Sequence, residues 1–335
     1  MGWLRAWVVR IGAALAATAV AGCGGAPEGV VPRAGAPEAD AQPETTVRTG
    51  AVSIALAGDV MLGRLVNDLI YEAGPAYVWG EMLESLRAYD LFLVNLEFAL
   101  TSHTEPWHDG AFKAFYFRAD PSAVESLQEA GVDFASLANN HALDFQVAGM
   151  LETLRVLEGA GIAHAGAGEN AAAARVPAVL RAKGLRVGVV SWADYPVEWA
   201  AGEDSPGINF TPVSVEAEDF AAVERAIRAA REQADFVVFS IHWGPNWRVR
   251  PPEGFRRFAR AVIDAGVDVF WGHSAHIVQG VEFYSGRPIL YDTGDFVDDY
   301  AVDPEKRNDL SALCGEMGTE VVEGEAGVLL RPAGR

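Results

Sequence analysis

The sequence predicts an α/β fold, and three observations carry the prediction. Short runs rich in Val, Ile, Leu and Phe recur along the chain, most clearly Phe236-Val-Val-Phe-Ser-Ile241 and Val267-Asp-Val-Phe-Trp271. Runs of that length read as strands, and those without alternation as strands buried on both faces. Between them lie segments with apolar residues at helical spacing, such as Phe220, Val223, Ile227 and Ala230. Several of the apolar runs then end in polar, ligand-capable residues. Open α/β sheets gather their sites at such strand ends.

In chain order, Val52 to Ala57 is a first buried strand that ends at Gly58-Asp59 and passes into a loop through Val60-Met-Leu-Gly63. Asp59 is a candidate ligand there, although a turn or N-cap role is equally open to an aspartate. Leu91 to Val94 is the second strand, followed at once by Asn95-Leu96-Glu97. A carboxylate at a buried strand end must be paired or bound to a metal, unless Glu97 lies beyond the buried part. Asp120-Pro121 starts a helix that Gly131 stops. Phe134 to Ala138 is a strand ending in Asn139-Asn140-His141, with Asp144 just beyond. Two amides, an imidazole and a carboxylate make a dense polar cluster at this tip; turn chemistry is an alternative for the two asparagines but not for the histidine. Val147, Leu151, Leu154 and Leu157 mark the next helix, closed by Gly159 and Gly161. Ala178 to Leu180 and Leu185 to Val190 form a hairpin around Lys183-Gly184. An aromatic loop follows from Trp192 to Pro212, which either covers a site or packs on the surface. The strand at 236–241 delivers His242. Pro251-Pro252 opens a helix carrying Phe255, Phe258, Ala259, Val262 and Ile263. The strand at 267–271 then turns sharply at Gly272 to present His273 and His276. Val278 to Tyr284 and Arg287 to Tyr291 are two further strands, and Asp292, Asp295, Asp298 and Asp299 make an acidic tip.

Composition narrows the function. The 335 residues hold 46 Asp and Glu against 26 Lys and Arg, a formal charge of −20, with no basic cluster. Nucleic-acid backbones require a cationic surface, so that class is excluded. Two cysteines, Cys23 and Cys314, rule out a disulfide framework and a cysteine-based zinc site.

The N-terminus reads as an export signal. Arg5 and Arg10 precede a short apolar run, Ile11 to Val20, too short for a membrane span. Val20-Ala-Gly-Cys23 resembles a bacterial lipobox, which implies cleavage before Cys23 and lipidation of it. Residues 1–22 are then a lipoprotein signal peptide. Residues 23–50 are the lipidated cysteine and a disordered tether, and 51–335 are one domain, held outside the cytoplasm on the membrane surface.

Five strand ends thus carry Asp59, Glu97, Asn140 with His141, His242, and His273 with His276. Carboxylate, amide and imidazole ligands in one cluster suit one or two divalent ions such as Mn, Zn or Fe. A pair about 3.5–4 Å apart would activate water and stabilise displacement at phosphorus. Glu97 is the candidate for the group between the ions. His141, with Asp144 three residues on, is the candidate catalytic acid. Neither a Gly-x-Ser-x-Gly elbow nor a Gly-Lys-Ser phosphate loop occurs.

Leu56-Ala-Gly-Asp-Val-Met-Leu-Gly63, Val94-Asn-Leu-Glu97, Leu137-Ala-Asn-Asn-His141, Ile241-His-Trp-Gly244 and Gly272-His-Ser-Ala-His-Ile-Val-Gln-Gly280 occur in that order. Together they resemble the CapA family of capsule or poly-γ-glutamate biosynthesis proteins, itself similar to the calcineurin-like metallophosphoesterases. The resemblance covers roughly residues 52–300. It implies a four-layer α/β/β/α sandwich of two mixed sheets with metals at the strand ends. It also implies a role in making, exporting or attaching an anionic polymer, with polymer synthase subunits as partners and a polymer or phosphoester as substrate. The superfamily's Asp-x-His is Asp59-Val-Met61 here, which removes one usual ligand. The last motif has two residues between its histidines where the superfamily has one. Members of the family also finish with a clearer strand pair than the segment after Leu313, so a truncated or unusual end with an incomplete sheet edge is expected. Three functions fit: a metal-dependent hydrolase or transferase, a non-catalytic subunit of a polymer synthase, and an anion-binding lipoprotein.

Overall fold

The computed structural model describes residues 52–314 apart from 109, 111 and 112, and beyond them the backbone of four two-residue strands between 317 and 330. The expected signal peptide, Cys23 and the tether lie outside the described residues, as do most residues after 314. The principal strands are β1 Ile54–Val60, β2 Leu91–Leu96, β3 Phe134–Ser136, β4 Ala163–Ala165, β5 Ala178–Ala182, β6 Leu185–Ala193, β7 Phe236–His242, β8 Val269–His273, β9 Val281–Tyr284, β10 Arg287–Leu290 and β11 Asp295–Val297. The principal helices are α1 Arg64–Ala73, α2 Val124–Ala130, α3 Gln146–Ala160, α4 Ala217–Gln233 and α5 Glu253–Asp264.

Two sheets result. The first runs β11-β1-β2-β3-β4, parallel throughout, with one antiparallel bridge from Leu56 to Cys314. The second runs β9-β10-β8-β7-β6-β5, with hairpins at both edges and parallel strands between. The hairpin at 183–184 turns through positive φ at Lys183 (46°) and Gly184 (83°), the requirement of a tight two-residue turn.

Successive side chains on a strand point to opposite faces, so one strand serves two cores. Ile54, Leu56, Leu91, Leu93 and Phe134 face Val187, Val189, Phe236, Val238, Val269 and Trp271 in a core between the sheets. Their neighbours Ala55, Phe92, Val94 and Ala135 pack under α1, α2 and α3. Val237, Phe239, Ile241 and Phe270 pack under α4 and α5. The order helix, sheet, sheet, helix is therefore set by three separate apolar clusters.

Several elements differ from the sequence expectation. β1 continues past Gly58 through Asp59, with a register irregularity between Leu56 and Asp59, so Asp59 is on the strand. β8 likewise runs through Gly272 to His273, so the chain turns after that histidine. α1, which follows the loop at 61–63, has no counterpart in the sequence expectation; Val66 is buried along it and Ile70 packs against the same core. Asp120 holds the N-cap position of Pro121–Ala123, but its carboxylate accepts from Arg118 Nη1 at 2.9 Å and makes no side-chain cap.

Trp271 is fully buried between the sheets and its Nε1 donates to Ala57 O at 3.0 Å. Trp271→Ala should lower unfolding stability by about 3–5 kcal/mol. Leu65→Ala, on the exposed face of α1, should stay within about 0.5 kcal/mol of the parent. Urea unfolding of both variants checks the contrast.

Candidate metal centre

The alternation that builds the inner core also builds the site. Continuing along the inward face, β2 passes from Leu93 to Asn95, β7 from Val238 to Ser240 and His242, and β8 from Trp271 to His273. The carboxyl ends of both sheets thus converge at one seam, where Asp59, Asn95, Glu97, His242, His273, His276 and Asp295 are all buried.

β8 hands over to Ser274-Ala275-His276, and this loop is held by strong local constraints. Ser274 and His276 have φ of 112° and 57°, backbone states that L residues seldom adopt without support. Ala275 N donates to Asp292 Oδ2 at 2.6 Å, Ser274 Oγ donates to Gly244 O at 3.1 Å, and Trp247 N donates to Ala275 O at 2.9 Å. Asp292 also accepts from Gly294 N at 2.8 Å. Gly294 in turn lies against Gly58, where an added Cβ would stand 1.6 Å from Gly294 O, so β1 can reach Asp59 only with glycine there.

Asp59 is the hub. Its Oδ1 accepts from Asn95 Nδ2 at 2.7 Å, and its Oδ2 lies 3.3 Å from both Ser274 N and His276 Nδ1. His242 Nδ1 is 3.9 Å and His273 Nδ1 3.8 Å from Oδ1. One ligand atom each from Asp59, His242 and His273 lies within 4.8 Å of the others, and the same holds for Asp59, Glu97, His276 and Asp295. Asp59 is the residue common to both groups; the sequence reading gave that place to Glu97. Asp295, which the sequence marks only as part of an acidic tip, pairs with Asp59 in strand register and contacts His276 Nδ1 at 2.7 Å.

The electrostatics divide these groups. Burial alone would raise Asp59, yet the hydrogen bond and charge of His276 and the Asn95 amide hold it below the usual carboxylate value. Glu97 has no such support; burial and the charges of Asp59 and Asp295 push it well up. Burial opposes charge on His276, but Glu97, Asp295 and Asp59 hold its pKa well above that of a free imidazole. Burial pushes His242 and His273 well down, so both are neutral, the form that ligates metal.

Three buried atoms here, Glu97 Oε1, His242 Nε2 and Asp295 Oδ2, have no hydrogen-bond partner. Unpaired buried polar atoms are costly and rare. A divalent cation would satisfy them, and the carboxylate and imidazole set suits Mn, Zn or Fe. The residues present therefore fit such an ion. Met61, at the position of the superfamily's second ligand, is buried and its Sδ accepts from Gly63 N at 3.1 Å.

His141 and Asp144 stand beside this centre. Asp144 Oδ2 contacts His141 Nδ1 at 2.6 Å and accepts from Phe117 N at 2.6 Å; Lys113 Nζ is 2.9 Å from Asp144 Oδ1. Phe117 stacks on the imidazole at 4.0 Å between centroids, and His141 Nε2 lies 3.7 Å from Glu97 Oε1. Asn140 is half-buried, its carbonyl accepting from Lys113 Nζ at 2.5 Å while its Oδ1 has no partner. Asn139, part of the polar cluster in the sequence but not among the candidate ligands, donates to Asn95 Oδ1 and Leu96 O and so fixes the amide that holds Asp59. No apolar period or charge pattern marks that role.

Residues 53–300 match the sequence profile described as bacterial capsule synthesis protein PGA_cap. A probable polyglutamine synthesis accessory protein of Mycobacterium tuberculosis is 34% identical over 290 residues, covering 74% of this chain and 75% of its own. The capsule biosynthesis protein CapA of Bacillus anthracis is 28% identical over 250 residues, covering 74% and 60%. Among solved structures, TT1561 of Thermus thermophilus aligns with a TM-score of 0.44 at 14% identity, over 74% of this chain and 91% of that one.

Adding Mn or Zn to metal-free protein should stabilise it by about 2.7 kcal/mol at roughly a hundredfold excess over Kd. Asp59→Asn, which touches both groups, should remove that gain, whereas His273→Ala should remove part of it. Thermal melts with parallel metal analysis check this, and an unchanged wild-type melting temperature would refute the fit.

Proposed function

The chain belongs to the bacterial capsule synthesis protein family, and from that premise we propose that it serves capsule or poly-γ-glutamate synthesis as a lipid-anchored extracytoplasmic protein with a divalent-metal centre and hydrolase or transferase chemistry. The observation that carries the reading is the carboxylate of Asp59, buried and common to two ligand groups in which Glu97 Oε1, His242 Nε2 and Asp295 Oδ2 lack hydrogen-bond partners. Asp59, Glu97, His242, His273, His276 and Asp295 would hold one or two ions. A bound ion would supply Lewis-acid polarisation of a phosphoryl or carbonyl oxygen.

The chain's own residues would do the rest. Asp144 orients His141 through Nδ1, leaving Nε2 to face the centre, where it can hold or deliver a proton to a leaving oxygen. Lys113 and the Phe117 amide fix Asp144, and the Phe117 ring keeps the imidazole flat against it. Trp247 and Tyr300, at 5.7 and 5.5 Å from the His276 ring, cover the centre and limit water.

A second reading is a non-catalytic subunit of a polymer synthase. It is favoured by the Mycobacterium tuberculosis relative, whose name describes an accessory protein, and by Met61 in the place of a ligand. Membrane attachment in either reading is supported by Val20-Ala-Gly-Cys23.

His141→Ala should reduce hydrolysis of a phosphoester or γ-glutamyl substrate by about 10²–10⁴-fold with bound metal unchanged. A metal-loaded wild type without turnover, and a His141→Ala strain that still makes polymer, would instead establish the accessory role. Cys23→Ser should move the protein from the membrane pellet to the soluble fraction, as fractionation of cells would record.

A further inference from the structure

A cleft of about 530 Å³ opens beside the centre, with His141 and His276 at its inner end. That volume lies within the range of small-ligand pockets. Its walls come from both sheets. Trp107 and Tyr116 lie on the segment after β2, and Tyr300 follows β11. Tyr195 and Trp247 follow β6 and β7. Tyr195 is 63% exposed and Trp247 is partly exposed, so these rings are available to a ligand. Trp107 Nε1 is buried without an acceptor, although its indole lines the cleft.

Outside the histidines at its inner end, the walls of the cleft carry little charge. Lys113 is the only Lys or Arg lining the cleft among the described residues, and Asp144 Oδ1 at 2.9 Å already neutralises it. Glu198 adds a negative group. Lys306 stands 4.8 Å over the Trp247 ring but is paired with Asp303 Oδ2 at 3.3 Å, and Arg64 with Asp299 Oδ2 at 3.2 Å. A polyglutamate strand carries a carboxylate on every residue, and recognising it calls for unpaired cations. An aromatic cleft with few charges suits a ligand with apolar C–H faces and a polar edge. Pyranose rings have that form: axial hydrogens stack on an aromatic face, and equatorial hydroxyl or N-acetyl oxygens accept hydrogen bonds.

We propose that this cleft binds an uncharged saccharide chain, stacking its rings on Tyr195 and Trp247. The proposal rests on the reading of the centre only for what then happens to the bound chain. Binding itself requires no ion, so the glycan would be the second partner, or attachment point, of the polymer chemistry next to it.

Calorimetric titration of the full-length protein with chitotetraose, and separately with a γ-linked glutamate octamer at low and high salt, tests it. Chitotetraose should bind, insensitive to salt; Tyr195→Ala should weaken it roughly tenfold while bound metal stays unchanged, and Trp247→Ala should weaken it to a similar extent. Asp59→Asn should lose metal and keep chitotetraose binding. Failure of the metal centre alone would leave this second result intact, so the two readings fail separately. The proposal is overturned if chitotetraose does not bind, if it binds both aromatic variants as tightly as the parent, or if only the glutamate octamer binds and does so in a salt-dependent way.

Discussion

A carboxylate buried where two sheets meet is the constraint on which the rest of this structure depends. Asp59 can remain charged out of water because Asn95, Ser274 N and His276 face it. Each partner needs an element ended at the right residue. β1 must pass Gly294 without a side chain at Gly58, β8 must extend to His273, and the following loop must hold His276 at positive φ. Asp292 braces both the histidine loop and the Gly294 turn, so it supports the hub without contacting it. The site and the topology are one construction: parallel strands from two sheets place their carboxyl ends together, and the inward alternation decides which residues arrive there.

Much of this was legible in the sequence, because both of its signals are local. Continuous apolar runs identify strands that serve two cores, and the polar residue that interrupts such a run marks its tip. Asp59, Glu97, His242, His273 and His276 were all found in that way. Asp295 escaped because its neighbours Asp292, Asp298 and Asp299 share its chemistry, and only the pairing of β1 with β11 selects it. Asn95 and Asn139 escaped because an amide that positions another side chain leaves no periodic trace. In each case the missing information is a long-range contact, which residue spacing does not encode.

The surroundings of the centre carry a second lesson about charge. A chain of formal charge −20 surrounds a cleft whose walls are aromatic and whose lining lysine is already paired. Net charge describes the outer surface and its solubility. It says little about a recess lined by sixteen residues, and here the two point to different kinds of ligand.

Beneath the centre, Ser136 of the first sheet meets Ser191 at 2.6 Å and Ser240 at 3.1 Å in the second, and Ser240 reaches His273 Nε2 at 2.9 Å. These hydroxyls occupy the last inward positions before the ligands begin. Apolar faces alone would let the two sheets slide over one another at little cost, since dispersion and burial are not directional. The three serines act as a key in that joint: a slip of either sheet would strand buried hydroxyls in hydrocarbon. The spacing between imidazoles of one sheet and carboxylates of the other is thereby indexed mechanically, before any ligand arrives to enforce it.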